Sequence, residues 1–307
     1  MKNYTYKATS NPDLERVVDL NGDWQNYFKK STQEYLRGVT SILKRGYAKG
    51  NGFYEALKKS TPEEWEKRLA AGGDRGDALH QIQRMLLSGE KCDIHTKVLA
   101  ENNKDYRELT IDEWESVLAF QDFWKQHGAK IVAVEESVDR GTYAGTLDWI
   151  VILTKKCENH HCKCEKFLNA LILGDLKTGT GIFPDYGAQV AALARAHISH
   201  LTDNRAVLFT MVLHLNRKTD IGWKTEFYDM EETETHYREF LSAMTIDDAT
   251  YKPFDPDKEI YDIPETLDMV VEKESEPKPK KERKPRTKKS RTPKSRAKKV
   301  AKNKSTK

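Results

Sequence analysis

Apolar residues along this chain recur first at helical spacing and later at strand spacing. The segment STPEEWEKRLA, residues 60–70, starts a helix: Ser60 or Thr61 caps it, Pro62 suits the first turn, and acids follow. After a Gly-Gly pair, DRGDALHQIQRMLLSG keeps Leu79, Ile82, Leu86 and Leu87 at helical spacing, and Gly89 ends the run. TIDEWESVLAFQDFWKQHG, residues 110–128, is a second clear helix, with Thr110 and Glu113 as a capping box and Gly128 as stop. The period then changes. KIVAVEESV, TYAGTLDWIVILT and KFLNALILGDLKT read as three strands, rich in β-branched and apolar residues and separated by turn-like segments. DYGAQVAALARAHISHL reads as a helix, RAVLFTMVLHLN and WKTEFYDM as strands, and EETETHYREFLSAM as a closing helix. This order predicts an α/β or α+β layer fold around a mixed sheet.

Charge changes the picture of the last thirty-one residues. Residues 277–307 hold sixteen Lys or Arg and one acid, Glu282. Residues 1–276 then carry 36 basic and 47 acidic side chains, so an acidic body precedes a strongly basic tail. With one Val and no other large apolar residue, the tail cannot bury enough surface to offset its ordering entropy and is expected to be disordered. Residues 251–276 read as a linker. The expected body is residues 1–250, a helical part over about 1–128 and a sheet over about 129–250, long enough for one sizeable core. No apolar run is long enough to span a membrane, and the first residues have no apolar signal core. A cytoplasmic location is therefore expected, and the cysteine usage agrees with a reducing compartment.

The chemistry concentrates at the end of one apolar strand. In LILGDLKTGTG, Asp175 and Lys177 are two apart and so share a strand face, while Leu176 points the other way. Buried charges are costly unless paired or bound, so the pair is either an ion pair at a strand end or part of a site. Asp148 lies on the preceding strand, His80 on a helix, and Gln189 one turn into the next helix. Carboxylates from adjacent strands plus an imidazole suit a hard divalent cation, Mg²⁺ or Mn²⁺. A nearby Lys would stabilise negative charge in a transition state. That is equipment for phosphodiester hydrolysis.

In these segments the chain resembles the PD-(D/E)XK nuclease superfamily, in its RecB-like and phage-exonuclease branch, over about residues 33–200. YLRGVTSIL, RGDALH, VEESVDRGTYAGTLD and GDLKT stand in the order of that branch's motifs. The resemblance implies a restriction-endonuclease-like mixed sheet flanked by helices. It implies His80, Asp148, Asp175 and the Leu176 backbone carbonyl as metal ligands, Lys177 as the catalytic lysine, and Glu135 as an auxiliary acid. The branch follows with Gln-x-x-x-Tyr. Here Gln189 is followed by Leu193 four residues on, and Tyr186, one turn earlier, is the candidate replacement for a DNA contact.

Three further features stay outside the motif set. CENHHCKC, residues 157–164, offers Cys157, His160, Cys162 and Cys164, which suit Zn²⁺ chemically. All of them fall within eight residues, tighter than usual zinc spacing, so the loop reads equally as a reduced hairpin tip. Phe120, Phe123, Trp124 and Trp223 read as packing residues, with base stacking as the alternative. Tail cations such as Lys288, Lys289 and Arg291 suit a polyanion. The expectation is a Mg²⁺- or Mn²⁺-dependent DNA nuclease, an exonuclease by resemblance, acting in phage-type recombination, repair or DNA processing in a host cytoplasm. DNA is the expected substrate, with a single-strand annealing or binding protein as implied partner. The alternatives are a non-catalytic DNA-binding protein on the same fold and a structure-specific endonuclease.

Overall fold

A computed structural model describes residues 4–19, 25–99, 106–199, 208–215 and 221–250. The linker, residues 251–276, and the tail with Lys288, Lys289 and Arg291 lie outside the described residues.

The chain opens with strands, which corrects the expectation of a helical part from residue 1. β1 (Tyr4–Ala8), β2 (Leu14–Asp19), β3 (Gln25–Lys29) and β4 (Glu34–Gly38) form an antiparallel meander. Each is five or six residues long, and the meander sends only Leu14, Tyr27 and Leu36 into a small cluster closed by Ala144. So little apolar patterning gives no local signal, because the partner that covers these residues lies about a hundred positions away.

Three helices follow, α1 (Val39–Gly46), α2 (Asn51–Lys58) and α3 (Pro62–Leu87). The Thr61 side chain accepts from the Glu64 amide, and Glu64 accepts from the Thr61 amide, so the capping box holds the start of α3. α3 runs on through Gly72 and Gly73. Each Gly costs about 1 kcal/mol against Ala in a helix. Burial of Ala78, Leu79 and Ile82 further along offsets that. β5 (Lys97–Leu99) and β6 (Tyr106–Glu108) pair as a separate two-stranded sheet. α4 (Ile111–His127) has the expected Thr110–Glu113 capping box and ends at Gly128, whose left-handed backbone (φ 54°) favours glycine.

The second half follows the predicted order. β7 (Lys130–Asp139), β8 (Tyr143–Ile152), a single 3₁₀ turn (Cys164–Phe167), β9 (Leu171–Lys177), α5 (Pro184–Ser199), β10 (Leu208–Leu215), β11 (Trp223–Tyr228) and α6 (Met230–Thr250) complete the body. Nine strands make one mixed sheet in the order β1-β2-β3-β4-β8-β9-β10-β11, with β7 also on β8. β9 and β10 are parallel, joined through α5.

Helices cover both faces, as the sequence predicts. On one face, Leu79 and Ile82 of α3 and Phe120 and Phe123 of α4 pack on Trp149, Val151 and Ile172. On the other, α1, α5 and α6 cover Ile150, Leu173 and Val212. Phe120, Phe123 and Trp223 are buried in the first layer, and Trp124 packs against it. Their role is packing, each buried large side chain contributing roughly 1.5–3 kcal/mol.

β8 is the junction of the sheet. Along one edge it pairs with β7. Its other edge is shared: residues 149–152 pair with β9, and residues 143 and 144 pair with β4. Residues 145–148 fall between the two pairings, and the sheet forks there. Tyr27 Oη meets Thr146 Oγ1 at 3.0 Å and Lys29 meets Asp139 at 2.8 Å, so side chains hold the meander to the β7–β8 ribbon beside the fork.

Candidate active site

The fork is where the sequence placed its acids. The last β8–β9 pair is Trp149 with Gly174, which makes Asp148 and Asp175 the next facing positions. Gly174 is required there. A Cβ on it would lie 2.0 Å from Trp149 Nε1. In place of a further ladder bond, the Leu176 amide donates to Asp148 Oδ2 at 2.6 Å. His80, on α3, brings Nδ1 to 3.5 Å from Asp148 Oδ1.

Asp175 and Lys177 share a face, as the two-residue spacing requires. Lys177 Nζ stands 2.5 Å from Asp175 Oδ2 as an ion-pair contact, while that buried oxygen receives no hydrogen bond of good geometry. Gln189, one turn and more into α5, joins the two. Its Nε2 donates to Asp175 Oδ1 at 2.9 Å, and its Oε1 accepts from Lys177 Nζ at 3.0 Å. Tyr186 lies under the lysine, with Nζ 4.9 Å from the ring centroid. Leu193, in place of the branch's tyrosine, is buried against the β8 backbone, where a Cβ on Gly145 would touch it at 2.5 Å.

Burial shapes the electrostatics. Asp175 is 2% exposed and Asp148 9%. Burial pushes the Asp148 carboxyl up to about 6; His80 pulls it back, and the Asp175 charge adds to the rise. Burial also raises the Tyr186 hydroxyl, which stays protonated at neutral pH. Two buried carboxylates, one of them with an oxygen that lacks a hydrogen bond, are a donor pair suited to a hard cation.

The structure brings together Asp148, Asp175, Lys177, Gln189, His80 and Tyr186. Glu135 lies on β7 between Val134, paired with Trp149, and Glu136, paired with Leu147, at the register position opposite Asp148. It holds a left-handed backbone (φ 50°), uncommon for a residue with a side chain. Its charge acts on the buried Tyr27 hydroxyl, which burial already raises. Sequence reasoning missed His214. It pairs in register with Lys177, is 3% exposed, and donates from Nε2 to the Gly179 carbonyl at 2.9 Å. A lone polar ring in the apolar run LFTMVLHL was the available signal. The Cys-rich loop is corrected too: His160 is exposed, and the imidazole beside the three thiols belongs to His127.

No family model and no curated protein matches the chain. Among solved structures it is similar to an alkaline exonuclease from Laribacter hongkongensis, at 9% identity and a TM-score of 0.30, covering 68% of this chain and 88% of that one.

Proposed function

We propose that the chain is a divalent-metal-dependent deoxyribonuclease that hydrolyses phosphodiester bonds, working as an exonuclease in recombination, repair or DNA processing. The observation that carries this reading is the convergence of Asp148, Asp175 and Lys177 at the sheet fork, with Gln189 bridging acid and lysine. The order of the sequence motifs supports it.

The donor set fits Mg²⁺ or Mn²⁺. Two buried carboxylates face each other, and one Asp175 oxygen lacks a hydrogen bond. His80, Asp148, Asp175 and the Leu176 carbonyl are the groups that would hold the ion. Bound there, it would supply an activated water and positive charge at the attacked phosphate. Lys177 holds its Nζ cation at the same place and stabilises charge building on the phosphate oxygens. Gln189 fixes the direction of that ammonium, and Tyr186 offers its ring as a floor beneath it. Tail cations including Lys288, Lys289 and Arg291 would hold the DNA by counterion release and raise its local concentration near an acidic body.

The test is cleavage of end-labelled linear and covalently closed circular DNA with Mg²⁺ or Mn²⁺, with Lys177→Ala alongside. Loss of linear DNA that the variant abolishes is the expected result. Nicking of circles would make the enzyme an endonuclease. Binding without cleavage of either form would overturn the enzymatic reading in favour of a DNA-binding protein.

A further inference from the structure

We infer that His127, Cys157, Cys162 and Cys164 form a structural zinc site that clamps the β8–β9 loop to the end of α4. This site is separate in place and chemistry from the fork. Its cysteines lie in the loop that leads into β9, whose far end carries Asp175 and Lys177. Its donors are soft thiolates and an imidazole, which suit zinc, whereas the fork offers mainly oxygen.

The geometry supports four-coordinate zinc. One ligand atom from each residue lies within 4.8 Å of all the others. Zn–S bonds of about 2.3 Å and Zn–N bonds of about 2.0–2.1 Å place tetrahedral S···S and S···N edges near 3.8 and 3.5 Å. Cys157 and Cys164 Sγ atoms are 3.7 Å apart, and Cys162 Sγ is 3.6 Å from His127 Nε2. A disulfide needs sulfurs about 2.05 Å apart, and all four cysteines of the chain are free.

The surroundings aim the ligands. His127 Nδ1 donates to the Phe123 carbonyl at 2.8 Å, which turns Nε2 toward the thiols. Thr225 Oγ1 lies 3.5 Å from Cys162 Sγ. His127 is fully buried between the rings of Phe123 and Trp223, and Cys157 and Cys164 are buried as well. A closed shell of four protein ligands marks a structural site rather than a catalytic one. His127 also accepts the Thr154 and Lys155 amides on its own carbonyl, so backbone and metal would tie the loop to the same residue. His127 lies thirty residues before Cys157, which removes the spacing objection that the eight-residue loop raises by itself.

The test is metal analysis of the full chain, purified reduced and dialysed against metal-free buffer to strip loosely held ions. One zinc per chain is expected. Cys164→Ser should lose it, and His160→Ala should keep it. Cobalt exchanged into the wild type should show sulfur-to-metal charge-transfer absorption and tetrahedral d–d bands. Those bands, read on the wild type, decide the question even where Cys164→Ser fails to fold. Absence of zinc after refolding with zinc supplied, iron in its place, a Cys157–Cys164 disulfide by intact mass, or zinc lost from His160→Ala would each overturn the assignment.

Discussion

Asp148 Oδ2 accepts the backbone amide of Leu176 at 2.6 Å. A side chain thus closes a gap that a strand ladder would otherwise close, and it does so with a buried charge. The same carboxylate faces Asp175, and burial disfavours its charged form despite the nearby Lys177 and His80.

Asp148→Asn should therefore stabilise the metal-free protein while removing activity. The amide oxygen keeps the Leu176 hydrogen bond, and a buried charge disappears. A gain of about 1 kcal/mol or more is expected in chelator, read as a higher Tm. DNA cleavage with Mg²⁺ should fall by about 100-fold or more. A lower Tm together with retained cleavage would show that the acid serves packing alone.

Under the proposed function, Gln189 would act through Lys177, to which it is hydrogen-bonded, rather than on the phosphate. Gln189→Ala frees the ammonium and leaves Asp175 Oδ1 without its donor. kcat is expected to drop by about 10–100-fold with KM little changed. A rise in KM alone would assign Gln189 to DNA binding instead.

Acid sensitivity is expected at a buried carboxylate away from the fork. Arg107 donates to Glu113 at 2.8 Å and to Asp74 at 2.7 Å, tying β6 to α3 and α4. Burial alone would raise the Glu113 carboxyl, but the Arg107 and Thr110 hydrogen bonds outweigh it and hold it below its ordinary 4.5. The unfolded chain then takes up this proton at higher pH than the folded one. The stabilisation is complete above about 4.5 and is lost as pH falls through the lower folded value. Glu113→Gln should cost about 2 kcal/mol near neutral pH and flatten the stability profile below about pH 4.5. Urea unfolding across that range reads both effects.

Deleting residues 277–307 should weaken DNA binding and flatten its dependence on salt. Each phosphate neutralised contributes about −0.9 to the slope of log K against log salt. Affinity measured at several ionic strengths gives the slope for both proteins. An unchanged slope would show that the tail's cations make no phosphate contacts.

Much of the site was legible because its residues obey local spacing. Asp175 and Lys177 share a face by strand period, and Gln189 follows on the next helix. Thr110, Glu113 and Gly128 mark the ends of α4 by hydrogen-bonding chemistry that needs no tertiary partner. The N-terminal meander was not legible, since its strands bury few apolar side chains and depend on distant β8. His127 was hidden for the same reason. A histidine at a helix end reads as a C-terminal cation until folding brings three thiols to it. His214 gave only a lone polar ring, and its bond to Gly179 is tertiary.

The pairing of Arg37 with Tyr143 sets an order of events during synthesis. A ribosome adds about 5–20 residues per second, so the roughly one hundred residues between β4 and β8 take about 5–20 s to emerge. For that interval Leu14, Tyr27 and Leu36 have no Ala144 to close over them, and the edge of β4 away from β3 has no strand beside it. The growing chain is then exposed to misassociation through β1–β4, and a chaperone that shields them would act before any of the acids at the fork have been made.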